Sequence, residues 1–428
     1  MAAVGLGVLV ASRPVNGLLV GVAVMMLVPY WYGKGGLTVT QMAAALALAG
    51  TLTAVLVNRR RIQFTLVDWA VVAILLAAAA DWYMRGENFA GARATANSVT
   101  PLVFYFAARI LVGSGRSVRI VLWLLVVTGA LASLTVFYEF AKGVPVFVNP
   151  TTYEWNSGSG LIFRPAGIFG SPPAAVTVLA MVALAGLPLL RDTRGTKQTF
   201  LVGCLVLIVG GGFVTFTRAG WIGCGAGLLT YLVLVTWRGR LRLPRWMAVV
   251  PLIGLLLLAA VPLVSHTSWF QLGVTRGQTL QFRESYWAVT EPLVADSPAH
   301  LLFGRGLNSF TAAAEPAVGS VQASLAEIPG PLTRTPHNQY LQTLVEQGIV
   351  GLSLYLCWLL GTVALGFRSI PGVGAGDRRL IAGLVGATIS FVVASFADSS
   401  FREDNAFVVV ALVTGLAISL CAPAVQRA

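Results

Sequence analysis

Apolar runs long enough to cross a membrane recur along the whole sequence. A helix needs about 20 apolar residues to span the roughly 30 Å of hydrocarbon in a bilayer. Hydrophobic residues make up 57% of the chain and charged residues only 11%, which is unlike the composition of a soluble domain. The runs therefore predict an all-α polytopic membrane protein, with residues 1–428 forming a single integral membrane domain.

The apolar runs predict about twelve spans, with boundaries accurate to a few residues. The predicted spans are 14–32, 38–57, 64–83, 97–112, 120–141, 171–190, 198–216, 219–236, 246–265, 338–366, 380–398 and 405–422. The longest polar segment, residues 266–337, lies between predicted spans 9 and 10. We interpret it as a large outer loop that caps the membrane domain, its middle forming a lid or an irregular loop.

The basic residues predict the orientation of these spans. Of the 29 Lys and Arg residues, 17 fall in one alternating set of loops, for example at residues 59–61 and 238–245. The positive-inside rule makes that side cytoplasmic, and both termini then lie in the cytoplasm. Topology thus explains the net charge of +13, and no nucleic-acid-binding pattern accompanies it.

Eleven basic residues are predicted on the outer side, where the positive-inside rule gives no reason for them. They are Lys34, Arg85, Arg93, Lys142, Arg164, Arg218, Arg276, Arg283, Arg305, Arg334 and Arg402. Nine of them are arginines, whose planar fork of donors suits phosphate oxygens. The set predicts a site for a lipid phosphate or pyrophosphate at the membrane surface.

Three of these arginines stand in distinctive contexts. Arg218, in "FVTFTRAGWIGCGAG", falls at a tight hairpin between two apolar runs; it is either an anion ligand or an interfacial anchor. Arg283 and Trp287 share a face if their segment is helical, which suits a sugar phosphate, although an amphipathic loop helix would look the same. Arg164 precedes a Gly-rich turn and has the same two interpretations as Arg218.

The stretch "RTPHNQYLQTLVEQGIVGL", residues 334–352, begins polar and becomes apolar. Thr335 is a suitable N-cap and Pro336 a favoured first helical residue. This pattern predicts that His337 lies on the first turn of the helix. There the helix dipole favours a neutral imidazole, which can accept a proton near neutral pH. A capping or purely structural histidine is the alternative.

Three polar residues follow at helical spacing in the same stretch. Asn338, Gln342 and Glu346 are separated by four residues each and predict one polar stripe on an otherwise apolar helix. Polar groups at that depth are expected to face a cavity or the bundle interior. The stripe therefore predicts a site cut into the outer leaflet beside His337.

Metal-binding and hydrolase motifs are absent from the sequence. It contains no H-E-x-x-H, C-x-x-C or G-x-S-x-G pattern. The four cysteines, Cys204, Cys224, Cys357 and Cys421, each lie in an apolar run and are expected to be free thiols. No metal and no cofactor are predicted.

The ordered motifs resemble those of the O-antigen ligase and O-antigen polymerase superfamily. "RTPHNQYLQTLVEQGIVGL" is similar to its His-Asn dipeptide followed by E-x-G and a second glycine. "FTRAGWIG" is similar to its Ser/Thr-Arg-x-Gly turn, and "FRESYWAVTEPLVADSPAHLLFGRGLNSF" to its outer-loop segment. "FRPAGIFGSPPAAV" resembles its Arg-x-x-Gly-x-Phe stretch, except that "GSPP" replaces an Asn-rich turn. The resemblance covers about residues 160–352 and implies a GT-C-like membrane fold.

The resemblance implies a metal-independent glycosyltransferase in the bacterial inner membrane with its active site facing the periplasm. Such enzymes transfer a glycan from undecaprenyl pyrophosphate to an acceptor hydroxyl, here most simply on lipid A–core. Arg218 and Arg283 would bind the pyrophosphate, and His337 would act on the acceptor hydroxyl. The further predicted substrate-binding residues are Arg164, Trp287, Arg305, Arg334, Asn338, Gln342 and Glu346.

Two other functions stay open at this point. A polymerase of the same superfamily would add the glycan to another lipid-linked repeat, and the sequence does not separate it from a ligase. A transporter or flippase of a lipid-linked anion would need basic residues along a path through the bilayer, whereas the predicted outer arginines gather on one side.

Overall fold

The computed structural model describes residues 13–29, 32–34, 37–57, 63–85, 95–96, 98–147, 163–236, 278–314 and 336–425. Its helices are α1 Val15–Leu27, α2 Val39–Leu56, α3 Leu66–Arg85, α4 Leu102–Leu111, α5 Gly115–Lys142, α6 Pro172–Gly186, α7 Leu189–Asp192, α8 Thr196–Val214, α9 Arg218–Thr236, α10 Gln278–Ala295, α11 Pro298–Phe303, α12 Gln339–Ser369, α13 Ala375–Ala394 and α14 Asp404–Val425. Short 3₁₀ turns cover Gly167–Phe169, Ile370–Gly372 and Ser400–Arg402. Strands β1 Gly33–Lys34 and β2 Leu37–Thr38 form a small antiparallel hairpin.

This architecture confirms the predicted all-α polytopic membrane fold. Among the described residues, eight helices are long and apolar enough to span a bilayer: α2, α3, α5, α6 with α7, α8, α9, α12 and α14. The shorter apolar helices α1 and α4 match two more predicted spans, and α13 matches another. The predicted span 246–265 lies outside the described residues, so the number of twelve stays a prediction.

Two helices form the centre of the bundle. In the apolar window of α14 every residue is buried, and in that of α6 89% are, against 33% in α8 and α9. Small residues let the surrounding backbones approach closely: a Cβ at Gly223 would lie 2.5 Å from the Ser390 carbonyl oxygen, and one at Gly227 2.4 Å from that of Gly386. Close packing of this kind holds membrane helices together, since lipid supplies no hydrophobic driving force.

The glycines that follow Arg218 therefore pack helices. Gly220, Gly223 and Gly227 meet α6 or α13, whereas a Cβ at Gly225 would meet nothing within 4 Å. Three of these four glycines therefore form a helix-packing face.

The helix ends are set by local sequence. Thr38 and Gln41 form a capping box at the start of α2, and Ser114 and Ser171 cap α5 and α6. Gly143 ends α5 in the left-handed conformation, with φ of 68°. These caps satisfy backbone groups that would otherwise lack partners where each helix ends.

The two ends of the bundle differ in their polar contacts. At one end, Asp192 accepts a hydrogen bond of 2.6 Å from Arg119 and one of 3.1 Å from Arg379. At the other end lie five loops, covering 163–171, 215–218, 304–310, 336–338 and 395–403. We call the second end the His337 end, and the hydrogen bonds and ion pairs described below join its loops to one another.

Candidate active site

His337 lies just outside helix α12, which corrects the prediction that it occupies the first turn. The N-cap is Asn338, whose side-chain oxygen accepts hydrogen bonds from the backbone N–H groups of Tyr340 (3.0 Å) and Leu341 (3.1 Å). Asparagine is among the best N-caps, so the helix begins one residue after it. His337 has a φ of 48°, which cannot continue a right-handed helix and is uncommon for a residue with a Cβ.

Helix α10 holds the turn that contains His337. The Trp287 indole N–H donates a 3.0 Å hydrogen bond to the carbonyl oxygen of Pro336. Arg283 lies four residues earlier on α10, which is about 6 Å of helix rise. The prediction that this segment is helical is confirmed. The structure thus brings the segment of Arg283 and Trp287 to the turn of His337.

Helix α12 is broken at Gly348, which the apolar pattern did not predict. Gly348 has φ of 66° and ψ of −169°, a conformation outside the helical region. The break frees carbonyl oxygens of the last turn before it. Those of Val345 and Glu346 accept hydrogen bonds of 2.8 and 2.7 Å from the backbone N–H groups of Arg305 and Gly306. The first part of α12 is therefore a separate half-helix, capped by the 304–310 loop.

Glu346 is the polar centre of this half-helix. The residue is 5% exposed. Its carboxylate accepts a hydrogen bond of 3.2 Å from Gln342 and forms an ion pair with Arg402. The backbone N–H of Phe310 lies 3.4 Å from the same carboxylate oxygen. A buried carboxylate requires such partners. Glu346 thus joins the half-helix to the 304–310 and 395–403 loops, and the predicted contact of Glu346 and Gln342 with substrate stays a prediction.

Arg305 is engaged within the protein. Its guanidinium donates to the Leu293 carbonyl oxygen at 2.9 Å and pairs with Asp296. His300 Nδ1 lies 2.6 Å from the other oxygen of Asp296. The hydrogen bond from His300, with the nearby charge of Arg305, lowers the pKa of Asp296 below its ordinary value. This cluster links α10, α11 and the 304–310 loop at the surface.

Arg164 and Arg218 belong to adjoining turns. Helix α8 ends at Val214 and α9 begins at Arg218, which confirms the predicted tight hairpin. Arg164 donates to the Thr215 carbonyl oxygen at 3.1 Å and to the Thr217 hydroxyl. Because Thr217 directly precedes Arg218, the structure brings these two arginine-bearing segments together. Arg218 is exposed at the start of α9.

A buried carboxylate fixes the turn after Arg164. Glu139 is 1% exposed, and it accepts hydrogen bonds from the backbone N–H groups of Val146 (2.9 Å), Ala166 (2.9 Å) and Gly167 (2.7 Å). The Ser171 hydroxyl at the end of this turn donates a 2.7 Å hydrogen bond to Glu403. The loop of Arg164 is thereby connected to the 395–403 loop.

The 395–403 loop is the part of the site that sequence reasoning missed. Gln339, the first residue of α12, donates its backbone N–H to the Ser395 carbonyl oxygen (2.9 Å) and accepts from the Phe401 backbone N–H (2.8 Å). In this loop Asp398 approaches His337, with 3.9 Å between Asp398 Oδ1 and His337 Nδ1. The predicted span 380–398 extends a few residues beyond the end of α13 at Ala394, so Asp398 lies in the loop and not in the helix.

The composition of the 395–403 loop is the sequence signal that could have revealed it as part of the site. The stretch "FADSSFREDN", residues 396–405, contains three acids and one arginine between two apolar runs.

Of the predicted site residues, Arg334 lies outside the described residues, as does the middle of the predicted lid. Where the structure describes the chain, no group of three or more His, Cys, Asp and Glu side chains could hold a metal ion.

The four cysteines are free thiols, as predicted; Cys204 and Cys421 are buried.

Comparison with known protein families concerns the segment that contains most of the candidate site residues. Residues 203–356 match a protein-family model described as O-antigen ligase. No curated protein matches the chain. The matched range contains Arg218, Arg283, Arg305 and His337 and ends before the 395–403 loop. Over residues 203–356 the chain is thus similar to O-antigen ligases, a family of ligase- and polymerase-like membrane glycosyltransferases.

Proposed function

We propose that the protein transfers a glycan from undecaprenyl pyrophosphate to an acceptor hydroxyl on the periplasmic face of the inner membrane. The preferred acceptor is the lipid A–core of lipopolysaccharide. One observation carries the proposal: the turn of His337 and the adjoining turns of Arg164 and Arg218 lie at the same end of a membrane-helix bundle. The loop contacts between Ser171 and Glu403 and between Gln339 and Phe401 connect these turns.

The donor chemistry assigns a role to the arginines. When the bond between the anomeric carbon and the pyrophosphate oxygen breaks, negative charge develops on the leaving group. Arg218 and Arg283 bind that group and stabilise the charge, and Arg164 contributes to the same surface. Positioned cations act in this way without a metal ion, and the proposed reaction is accordingly metal-independent.

The acceptor chemistry assigns a role to His337. The acceptor oxygen forms the new bond to the anomeric carbon, and its proton passes to the imidazole. A positioned general base contributes about 10²–10⁴-fold to a rate. The side chain of His337 is 22% exposed, so that an acceptor can reach it. Trp287 and the half-helix of Asn338, Gln342 and Glu346 hold the turn and border the acceptor path.

The experiment is a gel of surface glycans from a strain lacking the gene. We expect the polymer ladder to disappear from lipid A–core while lipid-linked polymer accumulates, as ligation requires. A core that carries a single repeat would identify a polymerase of the same superfamily instead. An unchanged ladder would contradict the proposal and favour transport of a lipid-linked anion or a different acceptor.

A further inference from the structure

Asp398 is placed beside His337 by the fold and not by sequence neighbourhood. It lies in the loop between α13 and α14, 61 positions beyond His337. Its side chain is 9% exposed, against 22% for that of His337, and 3.9 Å separates its Oδ1 from the imidazole Nδ1. The carboxylate is therefore more buried than the imidazole that it approaches.

The other charged residues of this loop are directed elsewhere. Arg402 pairs with Glu346, Glu403 accepts from the Ser171 hydroxyl, and Asp404 accepts from the Thr40 hydroxyl. Of the three acids in residues 396–405, Asp398 is therefore the one described in contact with His337.

The second oxygen of Asp398 carries a further signal. Asp398 Oδ2 is buried and has no hydrogen-bond partner among the described residues. Buried polar groups are normally paired, and an unpaired one destabilises the fold. A carboxylate retained at such a position does not stabilise the fold through that oxygen. The approach of Asp398 Oδ1 to the His337 imidazole is the described interaction of this carboxylate.

We propose that Asp398 is the positioning residue of His337. Its carboxylate accepts the Nδ1–H of the imidazole, which fixes the tautomer in which Nε2 accepts the proton of the acceptor hydroxyl. During transfer the Asp398 carboxylate stabilises the imidazolium, as the carboxylate does in Ser-His-Asp triads. The 3.9 Å separation shortens when the acceptor binds, since catalytic hydrogen bonds are often long without substrate. This inference rests on the proposed function.

The test is Asp398→Asn in the purified protein, assayed with lipid-linked donor and lipid A–core acceptor. The amide keeps the shape of the side chain but removes its charge. We expect kcat to fall by about 10²-fold or more while the donor KM stays within about twofold. Asp398→Glu should recover part of the loss. The matched control is Asp192→Asn at the opposite end of the bundle, which should turn over like the wild type.

A double variant separates positioning from a structural role. If Asp398 acts through His337, then adding Asp398→Asn to His337→Ala causes no further loss, because both changes remove the same interaction. A multiplicative loss, or a normal kcat in Asp398→Asn, would overturn the inference. If Asp398→Asn fails to accumulate, Asp398→Ser provides the same comparison. Absence of transfer by the wild type would instead overturn the proposed function.

Discussion

The break in α12 gives the sharpest prediction about how the site is built. A Cβ added at Gly348 would lie 2.3 Å from the carbonyl carbon and oxygen of Leu302 and 2.5 Å from the Phe303 nitrogen. These are backbone atoms, which cannot turn aside as a flexible side chain can. Gly348→Ala should therefore push the half-helix that follows His337 away from the end of α11 and from the 304–310 loop that follows it.

The size of this effect follows from two contributions. The backbone at Gly348, with φ of 66° and ψ of −169°, lies in a region that is essentially restricted to glycine, and residues held there cost about 1–3 kcal/mol. Forcing the two main chains apart costs about 1–3 kcal/mol more, as for other overpacked interiors. Gly348→Ala should thus lower the free energy of unfolding by about 2–6 kcal/mol.

Thermal unfolding in detergent measures this change directly. A thiol-reactive dye reports unfolding because Cys204 and Cys421 are buried free thiols. The matched control is Gly225→Ala, where an added Cβ meets nothing within 4 Å; alanine in a helix should stabilise it by about 0.5–1 kcal/mol. We expect Gly348→Ala to unfold well below the wild type and to lose transfer. Unfolding at the wild-type temperature would refute the described contact between the two segments.

Two further predictions concern the donor site. Arg218→Ala and Arg283→Ala should each lower kcat/KM by about 10²–10³-fold, as loss of a contact to a developing anion does, whereas Arg194→Ala in a predicted cytoplasmic loop should not; wild-type kinetics in both outer variants would remove the pyrophosphate assignment. EDTA should leave transfer by the purified protein unchanged, and inhibition that added Mg²⁺ reverses would show that a metal takes part.

The helical membrane architecture was predictable because hydropathy encodes it locally. An apolar run of span length has few alternatives to a helix in a bilayer, where every backbone polar group needs a partner. The tight hairpin before Arg218 and the helix that contains Arg283 were predicted for the same reason. Each depends only on residues close together in the sequence.

The details of the His337 turn were harder to predict because several local signals compete. Thr335, Pro336 and Asn338 all favour a helix start, and hydropathy does not choose among them. In the structure Asn338 is the N-cap. The first half-helix ends at Gly348, where the 304–310 loop supplies N–H groups to the carbonyl oxygens of the last turn. That supply comes from about 40 positions away, so no local pattern reveals it.

The 395–403 loop was missed for a related reason. Glu346 and Arg402 are 56 positions apart and meet only in the folded bundle. Asp398 was assigned to the end of a span, because the apolar run before it gives no sharp stop. Contacts between distant segments decide which polar residues join a site, and the spacing of residues within one segment does not predict such contacts.

The most direct test of the account is transfer by the purified protein in lipid nanodiscs, given undecaprenyl-pyrophosphate-linked glycan and lipid A–core. We predict that glycosylated lipid A–core and free undecaprenyl pyrophosphate appear in equal amounts. His337→Ala should lower the rate by about 10²–10⁴-fold while donor binding is kept, and His300→Gln should act like the wild type. Full turnover in His337→Ala would contradict the account.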